Sequence, residues 1–312
     1  MISQSLEPFL PNKHQVRQSF DRVATRYDEG AVLQQVVGAR LLDRLSEVRL
    51  APDRVLDAGA GTGRGTVALA ERYPQARVIA VDSAPSMLRQ ARRRAVGWQG
   101  WRSGVERLLR LIRRNPREGF VCADVDALPF APDSIDLIHS NLTLQWCPDL
   151  DRTFQEWGRI LRSDGLLVFT TFGPDTLREL RNAWRTVDDY SHVNAFLDMH
   201  DIGDTLTRAG FCGIVMDVEH MTLTYGDLAG LMRDLKGIGA HNVTQGRLRG
   251  LTGRGRLHQL TNAYEKFRQE GRLPATYEII YGHAWFPATR SLRSPQAVTI
   301  PVGQIRRPGD VP

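Results

Sequence analysis

Seven consecutive positions, Asp57-Ala58-Gly59-Ala60-Gly61-Thr62-Gly63, hold a carboxylate followed by three glycines. Glycine reaches backbone torsions closed to other residues and lets the chain pass close to a bound nucleoside. The apolar pair Val55-Leu56 precedes the run and a helical pattern over residues 66–72 follows it, so the order is strand, glycine turn, helix. A helix starting there offers unpaired N–H groups to a polar ligand. The dinucleotide fingerprint G-x-G-x-x-G, counted from Gly59, needs glycine at position 64, where this chain has Arg64. A purely structural turn is the competing reading.

Two further carboxylates follow short apolar runs. Asp82 ends Val78-Ile79-Ala80-Val81, 25 residues after Asp57. An acidic residue at about that distance from a glycine loop accepts both hydroxyls of a ribose and repels a phosphorylated one. Its alternative is to cap the helix over residues 84–94, a role that Ser83 fits as well. Asp124 follows the run 120–123; its carboxylate suits an adenine amino group, and Val125 offers a backbone N–H to the ring. Turn capping by Asp124 or Asp126 is the alternative. The three carboxylates fall at the C-terminal ends of three successive strands, where open α/β sheets bind ligands.

The elements that must position them alternate β-branched runs with longer helical patterns, the signature of an α/β fold with a mostly parallel sheet covered on both faces. Strands are expected over residues 54–58, 77–82, 120–123, 135–140 and 166–172. Two β-like runs, 213–223 and 276–286, enclose a helical stretch, 226–270, and complete the sheet at one edge. Helical spacing over residues 13–27 and 31–48 predicts two helices before the sheet. The expected layout is an N-terminal helical segment over the site (1–50), one sheet domain (51–287) carrying the substrate-side helical insertion 226–270, and a frayed tail (288–312).

The net charge of +6 is local, because residues 92–118 contain nine Arg and two Glu and leave the rest near neutrality. Over residues 98–117, Trp98, Trp101, Val105, Leu108, Leu109 and Ile112 form an apolar stripe, with arginines mostly elsewhere on the wheel. This basic amphipathic insertion, 96–118, either packs on the sheet and solvates its charges or steers an acidic partner. Cys122, Cys147 and Cys212 form no CxxC pair and are expected to be reduced. No run is long and apolar enough to span a membrane. A cytoplasmic protein is expected. No His/Cys cluster has metal-ligand spacing, so no metal is expected.

With these residues in place, the stretch from about Asp53 to Phe172 resembles the Rossmann-like S-adenosylmethionine-dependent methyltransferases. That resemblance implies a seven-stranded sheet and S-adenosylmethionine as methyl donor. It places Asp57, Gly59, Gly61, Gly63, Asp82, Ser83, Met87, Asp124, Val125 and Asn141 at the cofactor. Segments outside this core are similar to one subgroup, the malonyl-acyl-carrier-protein O-methyltransferases of biotin synthesis. They are Ser19-Phe20-Asp21-Arg22-Val23-Ala24-Thr25-Arg26-Tyr27, Ser140-Asn141-Leu142-Thr143-Leu144-Gln145-Trp146-Cys147, residues 169–180, residues 231–242 with the run Leu235-Lys236-Gly237-Ile238-Gly239-Ala240, and Tyr277-Glu278.

The resemblance implies methylation of the free carboxylate of malonyl on an acidic acyl carrier protein, which the basic insertion is placed to contact. Tyr27 is expected to close over the transferred methyl, with Asn141 and Gln145 lining the site. Arg178 and Lys236 are the candidates for holding the carboxylate. An ordinary helix-end aromatic is the alternative for Tyr27, and a solvated surface for the two cations. His241 is read as structural. Rival readings are a same-fold enzyme acting on RNA or a small molecule, and an assembly factor that keeps the cofactor core; nucleic acid is not the expected partner.

Overall fold

Runs of Val, Leu and Ile that are apolar on both sides make strands covered on both faces. The computed structural model describes residues 11–100, 118–239 and 253–288 and shows seven strands in one sheet. They are β1 (Arg54–Ala58), β2 (Arg77–Asp82), β3 (Glu118–Cys122), β4 (Ile135–Ser140), β5 (Leu161–Phe172), β6 (Cys212–Tyr225) and β7 (Leu273–Phe286). Their order is β3-β2-β1-β4-β5-β7-β6. The first five run parallel, and β7 lies antiparallel between β5 and β6. The direction of winding reverses between β1 and β4, which opens a crevice at their C-terminal ends.

Alternate residues of the central strands serve opposite cores. Val55, Val78, Leu137 and Leu166 belong to one, and Leu56, Ile79, Ile138 and Leu167 to the other. Helix α3 (Val32–Arg44) buries Leu33, Val37 and Leu41 against the first core, as does α4 (Arg64–Arg72) with Leu69. On the opposite face α6 (Leu150–Ile160) supplies Phe154, Trp157 and Ile160, and α8 (Met199–Arg208) supplies Ile202 and Leu206. The first core extends to α7 (Arg178–Arg185), α9 (Leu228–Gly237) and α10 (Arg254–Glu265), whose Trp184, Leu231 and Tyr264 are buried in it.

Several boundaries differ from the sequence reading. The helix expected over residues 13–27 is two, α1 (Lys13–Val23) and α2 (Tyr27–Gly30), because the chain turns where Arg26 N–H donates to Val23 O. Strand β5 starts at Leu161, which pairs with Ile135 ahead of an irregularity that sequence periodicity does not register. Strand β7 starts at Leu273 and pairs with β6 up to Tyr225. Helix α5 (Pro85–Gly100) runs past position 94. The rest of the basic insertion, residues 240–252 with His241, and the tail beyond residue 288 lie outside the described residues.

Candidate active site

At the end of β1 the chain enters the glycine turn, and Gly59, Gly61 and Gly63 all have positive φ. A Cβ on Gly63 would sit 2.7 Å from the Ala91 backbone of α5, so only glycine lets α4 and α5 approach this closely. Gly59 packs in the same way against Thr143, in the loop after β4. The turn is tied to the next strand, since Gly59 and Ala60 N–H donate to Val81 O and Gly61 N–H donates to Asp82 Oδ2 at 2.9 Å. The other Asp82 oxygen accepts Ala84 N–H at 2.8 Å, ahead of α5. Burial pushes the Asp82 carboxyl up to about 6, against the pull of these two N–H donors.

Two cavities flank this turn. One, of about 360 Å³, is lined by Asp82, Ser83, Met87, Asp124 and Val125. The other, of about 250 Å³, is lined by Asp57, Thr62, Gly65 and His139. Tyr27, Gly59, Gly61 and Asn141 line both, so they are two ends of one elongated site. Asp57 is buried, accepts from Thr66 Oγ1 at 2.6 Å and pairs with His139 Nδ1 at 2.9 Å. Asn141 donates to Gln34 O and accepts from Thr170 Oγ1, which fixes its amide between the two ends.

The N-terminal helices cover the site because their charged residues are fastened to the sheet's loops. Lys13 bonds Asp124 at 2.7 Å and also Asp126. Burial works against its charge, yet the two carboxylates outweigh it and raise its pKa. Asp21 accepts the Ser86 N–H of α5 at 2.7 Å. Asp28 accepts from Thr62 Oγ1 at 2.8 Å, sits 3.2 Å from Arg64 Nε and pairs with Arg94, which itself donates to Thr62 O. This last fastening sets the neighbouring Tyr27 over the glycine turn. Burial, with Asp82 and Asp28 nearby, drives the Tyr27 hydroxyl far above its ordinary value, so it remains an O–H donor and not a base.

A third cavity, of about 370 Å³, shares Trp146 with the first. Its walls are mostly apolar, from Phe172, Leu180, Trp184, Phe196 and Ile238, with Gln145, His192, Asn194 and Lys236 as polar members. Phe20 packs edge-on against both Trp146 (5.5 Å) and Tyr27 (6.2 Å), so aromatic rings connect this chamber to the elongated site. His192 stacks on Trp184 at 3.5 Å and contacts Asp188 at 2.7 Å.

The structure therefore gathers Tyr27, Asn141, Asp57, Asp82, Ser83, Met87, Asp124, Val125, Gly59 and Gly61 around the first two cavities. Gly63 acts by packing and lines neither. Gln145 lies across Trp146 in the third, its amide donating to Leu142 O at 2.6 Å. Lys236 lines that chamber too. Arg178 does not; its side chain is 51% exposed and pairs with Asp175 and Glu179.

The methyltransferase domain family model matches residues 56–169, the part that carries the glycine turn and the strand-end carboxylates. The malonyl-acyl-carrier-protein O-methyltransferase of Gallionella capsiferriformans is 50% identical over 293 residues, covering 94% of this chain and 97% of that protein. The protein of the same name from Laribacter hongkongensis is 53% identical over 92% of this chain and 94% of its own length. This chain belongs to the malonyl-acyl-carrier-protein O-methyltransferase family. The fold is shared more widely: the YcgJ protein of Bacillus subtilis superposes with a TM-score of 0.54 at 18% identity, covering 80% of this chain and 99% of that one.

S-adenosylmethionine is the methyl donor of this family, and the polar groups of the elongated site have the chemistry to hold it. The strand-end carboxylate of Asp82 lines one end, while at the Asp57 end the buried Nε2 of His139 has no partner among the described residues. Sequence reasoning missed Lys13, Asp28, His139, His192 and Asn194. Of these, Asp28 and His139 carried a usable signal, being next to Tyr27 and inside the fourth strand. Lys13, His192 and Asn194 carried none, since only the fold brings them to the cavities.

Proposed function

We propose that the chain transfers a methyl group from S-adenosylmethionine to the free carboxylate of malonyl held on an acyl carrier protein, giving the methyl ester and S-adenosylhomocysteine. The observation that carries this is the junction at Trp146 between the elongated site and an apolar chamber with a cation at its wall. When bound, the donor supplies a methyl on a sulfonium, and the chain's task is to bring one oxygen in line with it.

A carboxylate is ionised at neutral pH, so no general base is needed. That agrees with a hydroxyl at Tyr27 that stays protonated. Tyr27 and Asn141 wall the junction on the donor side, and Gln145 walls it on the acyl side. Asp82 holds the ribose hydroxyls, with Ser83, Met87, Asp124 and Val125 around the base and the Asp57 end receiving the amino-acid part. The apolar lining excludes water from the attacking oxygen, and Lys236 draws the malonyl carboxylate to the chamber; positioning and desolvation provide the rate. Arg178, exposed and already paired, is the weaker cation for this role.

The charge of the carrier enters through the basic residues 92–118. Arg94 is occupied by Asp28, whereas Arg92 and Arg93 are exposed and complement an acidic partner. The test of this function is transfer of labelled methyl from S-adenosylmethionine to malonyl carrier protein, with acetyl carrier protein as control. Label only on the malonyl form, recovered as volatile methanol after alkali as a methyl ester must give, supports it. Label recovered in a non-volatile product, or equal label on the acetyl form, overturns it.

A further inference from the structure

Next to the acyl chamber lies a further cavity, of about 550 Å³, between α7 and the loop that follows it. The two share Trp184, His192, Val193 and Phe196, and His192 stacks on Trp184 at 3.5 Å where they meet. The spaces therefore follow one another from the donor site, past Trp146, to the chamber, and from the chamber to this outer cavity. Two arginines one helical turn apart on α7, Arg181 and Arg185, stand on its wall.

Arg181 donates from Nη1 to Pro174 O at 2.7 Å and from Nη2 to Thr176 O at 3.0 Å. Its guanidinium is thus fixed in place with further N–H groups to spare. Arg185 is exposed, and neither arginine is paired with a carboxylate among the described residues. Burial and the like charge of Arg185 hold Arg181 below its ordinary pKa, against the pull of Asp175. Two like charges this close call for an anion, and the nearby carboxylates are engaged elsewhere. Asp175 is held by Arg178 at 3.3 Å, and Asp188 contacts His192 at 2.7 Å and Arg256 at 3.7 Å. Asp189, also on the cavity wall, is exposed, where water and salt screen it.

We propose that Arg181 and Arg185 form a phosphate-binding site that takes the phosphodiester at the root of the carrier protein's pantetheine arm. Such an arm bears its acyl group as a thioester at one end and its phosphate at the other. With the acyl end in the chamber, the phosphate falls on the side away from the donor, where the two arginines are. Arginine suits the task, because its planar fork meets two phosphate oxygens at once. The proposal rests on the acyl reading of the chamber and adds a point of recognition separate from the reacting carboxylate.

The test is calorimetric titration with S-malonyl-phosphopantetheine and S-malonyl-pantetheine, which differ only in the phosphate, in the presence of S-adenosylhomocysteine so that no transfer occurs. The wild type should bind the phosphorylated probe about 10-fold more tightly, as a charge-assisted hydrogen bond provides. Arg185→Ala and Arg181→Gln should each remove most of that preference and leave the unphosphorylated probe unchanged, which also reports a folded chamber. Arg185 is exposed and without a carboxylate partner, so Arg185→Ala decides the matter if Arg181→Gln does not fold. In turnover, Arg185→Ala should raise the Michaelis constant for malonyl carrier protein about 5-fold with kcat unchanged. Equal binding of the two probes by the wild type, or an equal loss of both in Arg185→Ala, overturns the proposal and leaves the acyl reading standing. A rise in the constant for malonyl-coenzyme A without one for the carrier assigns the site to free thioesters and overturns it too. A wild type that binds neither probe contradicts the acyl reading itself, and the proposal with it.

Discussion

Along the proposed donor side of the site, Asp57, Asp82 and Asp124 lie at or just past the ends of three neighbouring strands, and the glycine turn ties the first two together. The acyl side contrasts with it. Gln145, Trp184, Asn194, Lys236 and Tyr277 come from loops, helices and an antiparallel strand spread over more than a hundred residues, and they meet only after β6 and β7 have closed the sheet. Both sides are lined largely by apolar surface, and they differ in their charged groups: the donor side has three strand-end carboxylates held by hydrogen bonds or ion pairs, whereas the acyl chamber has Lys236 at its wall. Under the proposed function, the cofactor is served by local geometry and the acceptor by residues that the fold gathers from far apart.

That contrast predicts different failures. The largest effect belongs to Gly63→Val, which forces a β-branched side chain into a positive-φ position against the Ala91 backbone. Strain and overpacking together should cost roughly 2–5 kcal/mol, measured by denaturant unfolding, and both halves should fail together. Asp82→Asn should separate them, weakening S-adenosylhomocysteine by about 10- to 100-fold while the acyl chamber stays intact. In the wild type the affinity should fall as pH drops below about 6, because the buried carboxyl then takes up a proton and the ribose needs the ionised form. The Asn variant should lose that pH dependence; titration calorimetry across pH 5 to 8 checks both.

On the other side, Lys236→Ala should raise the Michaelis constant for malonyl carrier protein by about 5- to 10-fold, as loss of a partly screened charge pair would, and leave S-adenosylhomocysteine affinity unchanged. Asp28→Asn should have the smallest effect, about 1 kcal/mol of stability and a few-fold rise in the Michaelis constant for the donor. The reason is that it loosens the fastening of Tyr27 at the rim of the second cavity, which Asp28 lines, while Asp57 and Asp82 keep their own partners. If Asp28→Asn instead acted on the carrier constant alone, the division between the halves would be drawn in the wrong place.

The same division explains what was legible in the sequence. Strands β1, β2 and β4 were readable to the residue, because an apolar run ending in a turn is a local signal. The break between α1 and α2 was not, since it is a turn closed by Arg26 N–H on Val23 O in a stretch with no glycine or proline to mark it. Asp57, Asp82 and Asp124 could be named from spacing alone. Lys13, which holds Asp124 and Asp126 from more than a hundred residues away, looks in sequence like any surface cation. Gln145 was expected beside Tyr27 and Asn141, and only the path of the chain through Trp146 puts it across the partition.

The most direct test of the central claim is the intact mass of the carrier protein after incubation with this enzyme and S-adenosylmethionine, with malonyl, acetyl and unacylated carriers compared at equal concentration. The account predicts that the malonyl carrier alone gains the mass of one CH₂ unit and loses its negative charge at that carboxylate. No gain on the malonyl carrier, in a preparation that binds S-adenosylhomocysteine, would contradict it.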